Sequence, residues 1–497
     1  MKSSQVIVLL KNDRSRIFGL PQKNYLLVRR VCGWKEKNYF FTDRFQKNKK
    51  WDGYTSLLTK KGFFPTGIAD ILLDQLKRIG LNYKLIDKRT TYEYDFNEEK
   101  LLSKLDNLNM LMRSYQIDGL LTGLQNNRML FQWPTASGKS VLFALLIYFY
   151  NLRTLIIVNR KELMTQLARE ISDKTGLEVG VIGDGKWNPK RVTVAIVDSL
   201  VSRLKDPKVK QFLEHIRYFI ADESHHLAAT EWKKVAYACN NAVIKHGFSG
   251  TCFRTDSKDI LLVATTGSIK HKITTSELIK QGWLSRPEIT MCYVDGFCGS
   301  KNWVEIEREL IVTNRIRNYL ACGFIKYHYE QNRQILVIVN KIKHGKIIYE
   351  SLCKEFNISS KEIKYVTGTH QTFFREKVLR DFRNRKLPIL IGTSIYEEGV
   401  DLPSADVGVN LAGGDSEIKT IQRLGRILRK TKGEYDIDID EDKPQTVYYL
   451  DFIDRGHEFT YHHSRHRQEV YEAEEEFKVI KTNGEKELWY PRYKLNH

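Results

Sequence analysis

The chain has 497 residues, 42% of them hydrophobic and 28% charged, with a formal net charge of +20. That length is too great for one core and implies about three domains, and the composition is that of a folded globular protein, which excludes a disordered chain. No apolar run approaches the roughly 20 residues that span a bilayer, and the short N-terminal VIVLL lacks a cleavage site, so neither a membrane segment nor a signal peptide is expected. Seven scattered cysteines without a C-x-x-C pair suggest reduced thiols in a cytoplasmic protein.

The charge is uneven. Residues 1–90 hold 20 Lys/Arg against 7 Asp/Glu, and a basic module on a larger body points to nucleic acid. This stretch reads as a small basic α/β accessory domain: β-rich pieces at 5–10, 25–31, 37–42 and 54–58, a helix pattern at 68–79 and a strand at 83–86. The segment RFQKNKKWDGYTSLLTKKGFFPTG mixes basic and aromatic residues around an Asp52-Gly53 turn. Lys49 and Lys50 suit phosphate, with Trp51 beside them, and Tyr54, Phe63 and Phe64 serve as stacking or core groups. Residues 91–109, rich in Asn, Asp, Glu and Lys, read as a linker with a short helix.

From about residue 110 strands alternate with helices, the pattern of a parallel α/β sheet. The first series, over 110–285, has strands at 154–158, 192–197, 218–222 and 247–250. The second, over 286–455, has strands at 289–294, 335–339, 363–366, 387–392, 406–411 and 446–452, with the boundary near 283–287. The fold class is therefore α/β, two parallel-sheet domains in tandem behind the small basic one. Residues 456–497, with the charged pattern RHRQEVYEAEEEFKVI, form a C-terminal helical tail.

The first α/β domain opens on MLFQWPTASGKS. An apolar run breaks at Pro134 into Thr135, Ala136 and Ser137, and Gly138, Lys139 and Ser140 lead into VLFALLIYFY: strand, tight loop, helix. Such a loop wraps backbone N–H groups around phosphates, sets Lys139 against the β/γ-phosphates and offers Ser140 to Mg²⁺. The Walker pattern wants Gly where this chain has Trp133. Downstream, the apolar run YFIAD ends in Asp222-Glu223-Ser224-His225. A carboxylate at the tip of a parallel strand shares the phosphate loop's edge of the sheet: Asp222 can hold Mg²⁺ while Glu223 polarises the attacking water. In the second domain, QRLGRILR places Gln422, Gly425, Arg426 and Arg429 on one face if helical. Arg426 and Arg429 then supply transition-state charge, worth roughly 10³–10⁵ in rate for an arginine finger.

These motifs, in order, resemble those of the superfamily 2 helicases and translocases across residues 110–455. Tyr115-Gln116 looks like the adenine-recognising glutamine motif, PTASGKS like motif I, VNRKEL with Arg160 like motif Ia, and VDSL with Ser199 like the next DNA-contacting motif. DESH is similar to motif II, Ser249-Gly250-Thr251 to motif III, GTSIYEEGVDLP to motif V and QRLGRILR to motif VI. Trp133 is ordinary in that setting. Arg254-x-Asp256 is similar to the R-E-D element of XPB-type DNA helicases, with Thr255 in place of Glu. The W-D-G turn, the P-T-x-x-G-K-S loop and the length look like UvsW-like bacteriophage branch-migration helicases.

The resemblance implies two RecA-like domains that use ATP and Mg²⁺, and an enzyme that unwinds or branch-migrates forked DNA and Holliday junctions in phage recombination, repair and replication. It places Lys139, Ser140, Asp222, Glu223, Gln422, Arg426 and Arg429 in the ATPase site, Gly399 and Asp401 near the nucleotide, and Thr393 nearer the DNA backbone. It also implies a monomer in the host cytoplasm, with recombination or single-strand-binding proteins as partners. An RNA helicase, a restriction-type motor and a non-enzymatic annealing protein stay open as alternatives.

Overall fold

A computed structural model describes residues 5–94 apart from 37, 101–105 apart from 102, 108, 112–250, 259–393, 405–429 and 445–482. The chain divides into two units: residues 1–134 with 138–273, and residues 135–137 with 274–497. Each is an α/β structure.

In the first unit the N-terminal domain is a four-stranded sheet with Val6–Leu10 at its centre, antiparallel to Arg14–Phe18 and parallel to Tyr83–Asp87; Phe63–Pro65 closes the far edge. Alternation along Val6–Leu10 sends Val6, Val8 and Leu10 inward. They meet Val28, Leu72 and Leu76 from the helices Gln22–Val31 and Ala69–Arg78. Two of the expected strands are therefore something else. Residues 25–31 lie in the helix Gln22–Val31, because Tyr25, Val28 and Cys32 recur at helical spacing towards this core while Leu26 and Leu27 stay exposed. Of the stretch expected as a strand at 37–42, the described residues 38–42 hold the short 3₁₀ turn Tyr39–Phe41.

This domain shares its core with the motor domain behind it. Ala264, from the helix Ile260–Thr266, belongs to the N-terminal cluster, with Ile260 and Val263 packed against it. Gly67 approaches that helix so closely that a Cβ there would lie 2.0 Å from the Val263 carbonyl oxygen. Beside this seam Asp13 Oδ1 accepts from Arg128 Nη2 at 2.8 Å and from Lys245 Nζ at 2.7 Å. Arg128 also donates to the Asn12 and Thr265 carbonyls.

The first motor domain is an eight-stranded sheet in which Arg128–Gln132, Thr154–Val158, Val192–Ile196, Tyr218–Asp222 and Ile244–Ser249 run parallel. The sequence reading missed the flanking strands Val179–Gly183, Lys186–Asn188 and Ile269–Lys272. The second unit is a seven-stranded, wholly parallel sheet from Arg286–Val294 to Lys478–Thr482. Its last strand lies in the expected helical tail, pairing with Arg286–Val294, and is preceded by the helix Glu458–Glu472. Glu474 and Glu475 then hold Ser276 and Lys280. Residues 456–482 are thus part of the sheet domain. Among the described residues, no helix is long and apolar enough to cross a membrane.

Candidate nucleotide site and its relatives

Strands that run parallel deliver the residues following them to one edge, and in open α/β sheets that edge is where ligands sit. Here it collects the loop 133–138, Asn159 and Arg160, Ser199, Asp222-Glu223 and Ser249. The phosphate loop has the backbone its sequence calls for: Ala136 at φ 68° and Gly138 at φ 81° curl the chain, and Lys139–Tyr150 begins as a helix with Gly138 at its N-cap. A left-handed Gly at a helix start leaves the first N–H groups open to an anion. Thr135, Ala136, Lys139 and Ser140 are half-buried, while Pro134 and Ser137 are buried.

Trp133, where a Walker glycine would stand, is fully buried and anchors this edge. Its indole Nε1 donates to His271 Nδ1 at 2.9 Å, and its N–H donates to the Ser249 carbonyl at 2.9 Å. Its ring fills the space above Gly119, on the helix Ser114–Gln125 that carries Tyr115 and Gln116. Gln116 is buried; its Oε1 accepts from the Arg113 N–H at 3.0 Å, and its Nε2 lies against Gly138. The two residues expected to read adenine are thereby fixed to the phosphate loop through Trp133 and Gly138.

Lys139 Nζ donates to Glu223 Oε1 at 3.3 Å, Glu223 Oε2 meets His225 Nδ1 at 3.3 Å, and that ring nitrogen lies 3.2 Å from Ser249 Oγ. One chain of contacts therefore links the phosphate loop, the acidic strand tip and Ser249. Burial opposes ionisation of Glu223, but the Lys139 ammonium and His225 outweigh it and hold its carboxyl well below the ordinary range. Burial, and then the Glu223 charge, push the Asp222 carboxyl up. Glu223 sits at φ 50°, a left-handed conformation that a non-glycine residue adopts at a cost. Ser140 and Asp222 are the residues that would hold Mg²⁺. The sequence reading gives no role to His225, nor to His226, which lies 3.3 Å from Asn159 Nδ2 and stacks on Trp232.

The second unit places its candidates differently from expectation. The helix Glu417–Leu424 ends before Gly425, residues 425–427 form a turn, and Arg429 makes a β-bridge with Leu284. Arg429 thus does not share a helix face with Gln422: the helix ends at Leu424, and Arg429 is drawn into the bridge with Leu284. Gln422 and Arg426 are buried, at 7% and 8% exposure. Thr393 is buried at the end of Ile389–Gly392, its N–H towards the Val366 carbonyl. Gly399, Asp401 and Arg254-x-Asp256 lie outside the described residues.

In the N-terminal domain Lys49 and Lys50 are exposed, but Trp51 is 9% exposed, with the Arg44 guanidinium 4.4 Å over its ring. Phe64 is buried in the core. Neither ring presents an open stacking face: Phe64 is spent in the core, and Trp51 is covered by Arg44. The W-D-G turn is closed by Asp52, which accepts from Arg29 at 2.9 Å and stays ionised through that contact.

Residues 108–254 match the family model of the type III restriction enzyme res subunit, and residues 314–431 that of the helicase conserved C-terminal domain. The ATP-dependent DNA helicase uvsW of Enterobacteria phage T4 is 26% identical over 81% of this chain and 83% of its own. The DNA 3'-5' translocase XPB2 of Sulfurisphaera tokodaii is 25% identical over 65% of this chain and 80% of its own. Among solved structures, S. cerevisiae Dbp5 bound to RNA and ADP BeF3 aligns with a TM-score of 0.53 over 78% of this chain and 94% of its own, at 15% identity, which speaks for the fold alone. With tandem parallel-sheet domains, a restriction-enzyme res-subunit model on the first, a helicase C-terminal model on the second and helicase relatives across both, the chain belongs to the superfamily 2 helicases, as a UvsW-like, ATP-dependent member with XPB-type relatives.

Proposed function

We propose that this helicase is a DNA translocase that unwinds or branch-migrates forked DNA and Holliday junctions in phage recombination, repair and replication. The observation that carries the reading is the continuous contact from Lys139 through Glu223 and His225 to Ser249. It joins the nucleotide loop to the edge of the sheet where Arg160 and Ser199, the candidate nucleic-acid contacts, also lie. The choice of DNA is supported by the relatives, whose names are those of a DNA helicase and a DNA translocase.

In this reading Lys139 and the N–H groups at the head of Lys139–Tyr150 bind the phosphates of ATP. Ser140 and Asp222 would hold Mg²⁺, which would supply charge neutralisation at the phosphates. Glu223 orients the attacking water and takes its proton. Gln422 and Arg426 contribute from the second domain. Lys49 and Lys50 add phosphate contacts, and Thr393 lies towards the backbone of the bound strand.

The test is ATP turnover by the full chain with single-stranded DNA, duplex, fork, Holliday junction and RNA, with Lys139→Ala as control. Stimulation by DNA, greatest for branched forms and lost in Lys139→Ala, is expected. No stimulation by any nucleic acid refutes the motor, and equal stimulation by RNA refutes the DNA preference alone.

A further inference from the structure

The helix Glu458–Glu472 lies beyond every motif named above, yet its Arg467 forms a fully buried charge pair with Asp451. Arg467 is 2% exposed and Asp451 not at all. Arg467 Nε donates to Asp451 Oδ2 at 3.0 Å and Nη2 to Oδ1 at 2.9 Å, the forked geometry that makes guanidinium–carboxylate contacts strong and directional. Burial alone would raise the Asp451 carboxyl, but Arg467 outweighs it and the group stays ionised.

The contacts then run outward in one direction. Asp451 Oδ2 also accepts from Tyr471 OH at 2.8 Å and from Asn410 Nδ2 at 3.0 Å. Asn410 Oδ1 accepts from Arg423 Nη1 at 3.3 Å, and the same nitrogen donates to the Gly413 carbonyl at 2.7 Å. Arg423 stands beside Gln422 on the helix Glu417–Leu424. The loop entering that helix is gripped from behind as well: Arg467 Nη1 donates to the Gly414 carbonyl at 2.8 Å, and His466 Nδ1 meets Asp415 Oδ1 at 2.8 Å. Gly413 and Gly414 both have positive φ, 62° and 93°. A two-glycine turn is loose by itself, so the pose of the helix following it depends on what fastens the turn.

We propose that Arg467 is a positioning residue for ATP turnover: by fixing Asp451 and the Gly413-Gly414 turn together, it sets the orientation of the helix that carries Gln422 and leads into the turn bearing Arg426. The role rests on the reading of Arg426 given above. Arg467 also donates to the Phe452 carbonyl at 3.1 Å within its own core. Its contact to the turn, and the relay through Asn410 to Arg423, reach beyond that core to the helix that leads to Arg426. The C-terminal helix is then a working part of the motor.

The experiment measures DNA-stimulated ATP hydrolysis by the full chain. Arg467→Lys keeps the charge facing Asp451 but cannot hold the carboxylate and the Gly414 carbonyl at once. Its kcat is expected to fall between about tenfold and a hundredfold, the range for a reacting group displaced by roughly an ångström, while KM for ATP changes less than about twofold. Combined with Arg426→Ala, it should slow hydrolysis no further than Arg426→Ala alone, because both act through one group. His466→Ala, which removes only the partly exposed contact to Asp415, should show the same non-additivity on a smaller scale, and keeps the test decisive if Arg467→Lys does not fold. Losses that multiply in the double variants, an unchanged kcat, or a fall confined to ATP affinity overturn the positioning role. A parent chain without DNA-stimulated turnover, or one indifferent to Arg426→Ala, overturns the reading of the site and this role with it.

Discussion

Asp13 is the sharpest place to test how the first unit is held together. Its Oδ1 accepts from both Arg128 and Lys245, whose side chains are 11% and 1% exposed. Asp13→Asn leaves the shape and removes the charge, so two buried cations face each other without a counter-ion. Breaking a buried pair from one side costs about 3–5 kcal/mol. At about 2 °C per kcal/mol for a unit of this size, the melting transition of the first unit should fall by roughly 5–10 °C in scanning calorimetry. The pH dependence identifies the cause. Burial already lowers the Lys245 pKa, with Asp13 partly offsetting it, so losing Asp13 lowers it further. In the interval between that value and the ordinary lysine value of about 10.4, the unfolded chain binds more protons than the folded one, and stability rises with pH. The deficit of Asp13→Asn should therefore shrink as pH is raised, and adding Lys245→Met should recover part of it. A transition within about 1 °C of the parent, or a deficit that does not change with pH, refutes the reasoning.

Gly119→Ala should cost about 1–3 kcal/mol and raise KM for ATP, because the added Cβ would lie 2.5 Å from the Trp133 ring and His271 holds that ring in place; nucleotide titration and thermal melting check it. His246 is buried with its Nε2–H donating to the Asn126 carbonyl and its Nδ1 accepting from Tyr218, and burial lowers its pKa to about 4. Protonation then favours the unfolded state, so stability present above about pH 6.5 is lost as pH falls towards that value. His246→Gln should flatten the acid limb of the unfolding profile by about one proton. Replacing exposed Lys49 and Lys50 by Gln should lower the salt slope of DNA binding by about one for each phosphate that they neutralise, and an unchanged slope removes them from the interface.

What can be read from the sequence is local and periodic. The strand before Pro134, the helix after Gly138 and the strand ending at Asp222 are legible because their apolar runs and their punctuation lie side by side in the chain. The chemistry at the strand tips follows, since parallel strands deliver their ends to one edge. Pairings between distant residues carry no such signal: Asp13 with Lys245, Trp133 with His271, and Arg467 with Asp451 are set by how layers stack. The helix Gln22–Val31 reads as a strand because YLLV is β-rich, and only the position of its partner sheet shows which residues face inward. Spacing alone puts Arg429 on the motif VI helix, because it does not reveal that the helix stops before Gly425.

The core shared between the N-terminal sheet and the helix Ile260–Thr266 has a mechanical consequence. A domain fused through its own hydrophobic interior has no joint at that seam, so any rotation of the first motor domain carries the N-terminal domain along as a rigid arm. A compact body of this size is about 30 Å across. Turning it through about 10° sweeps its far side by roughly 5 Å, more than the roughly 3.4 Å rise of one base pair. The basic outer surface of the arm is thereby geared to the motor at a ratio fixed by the fold.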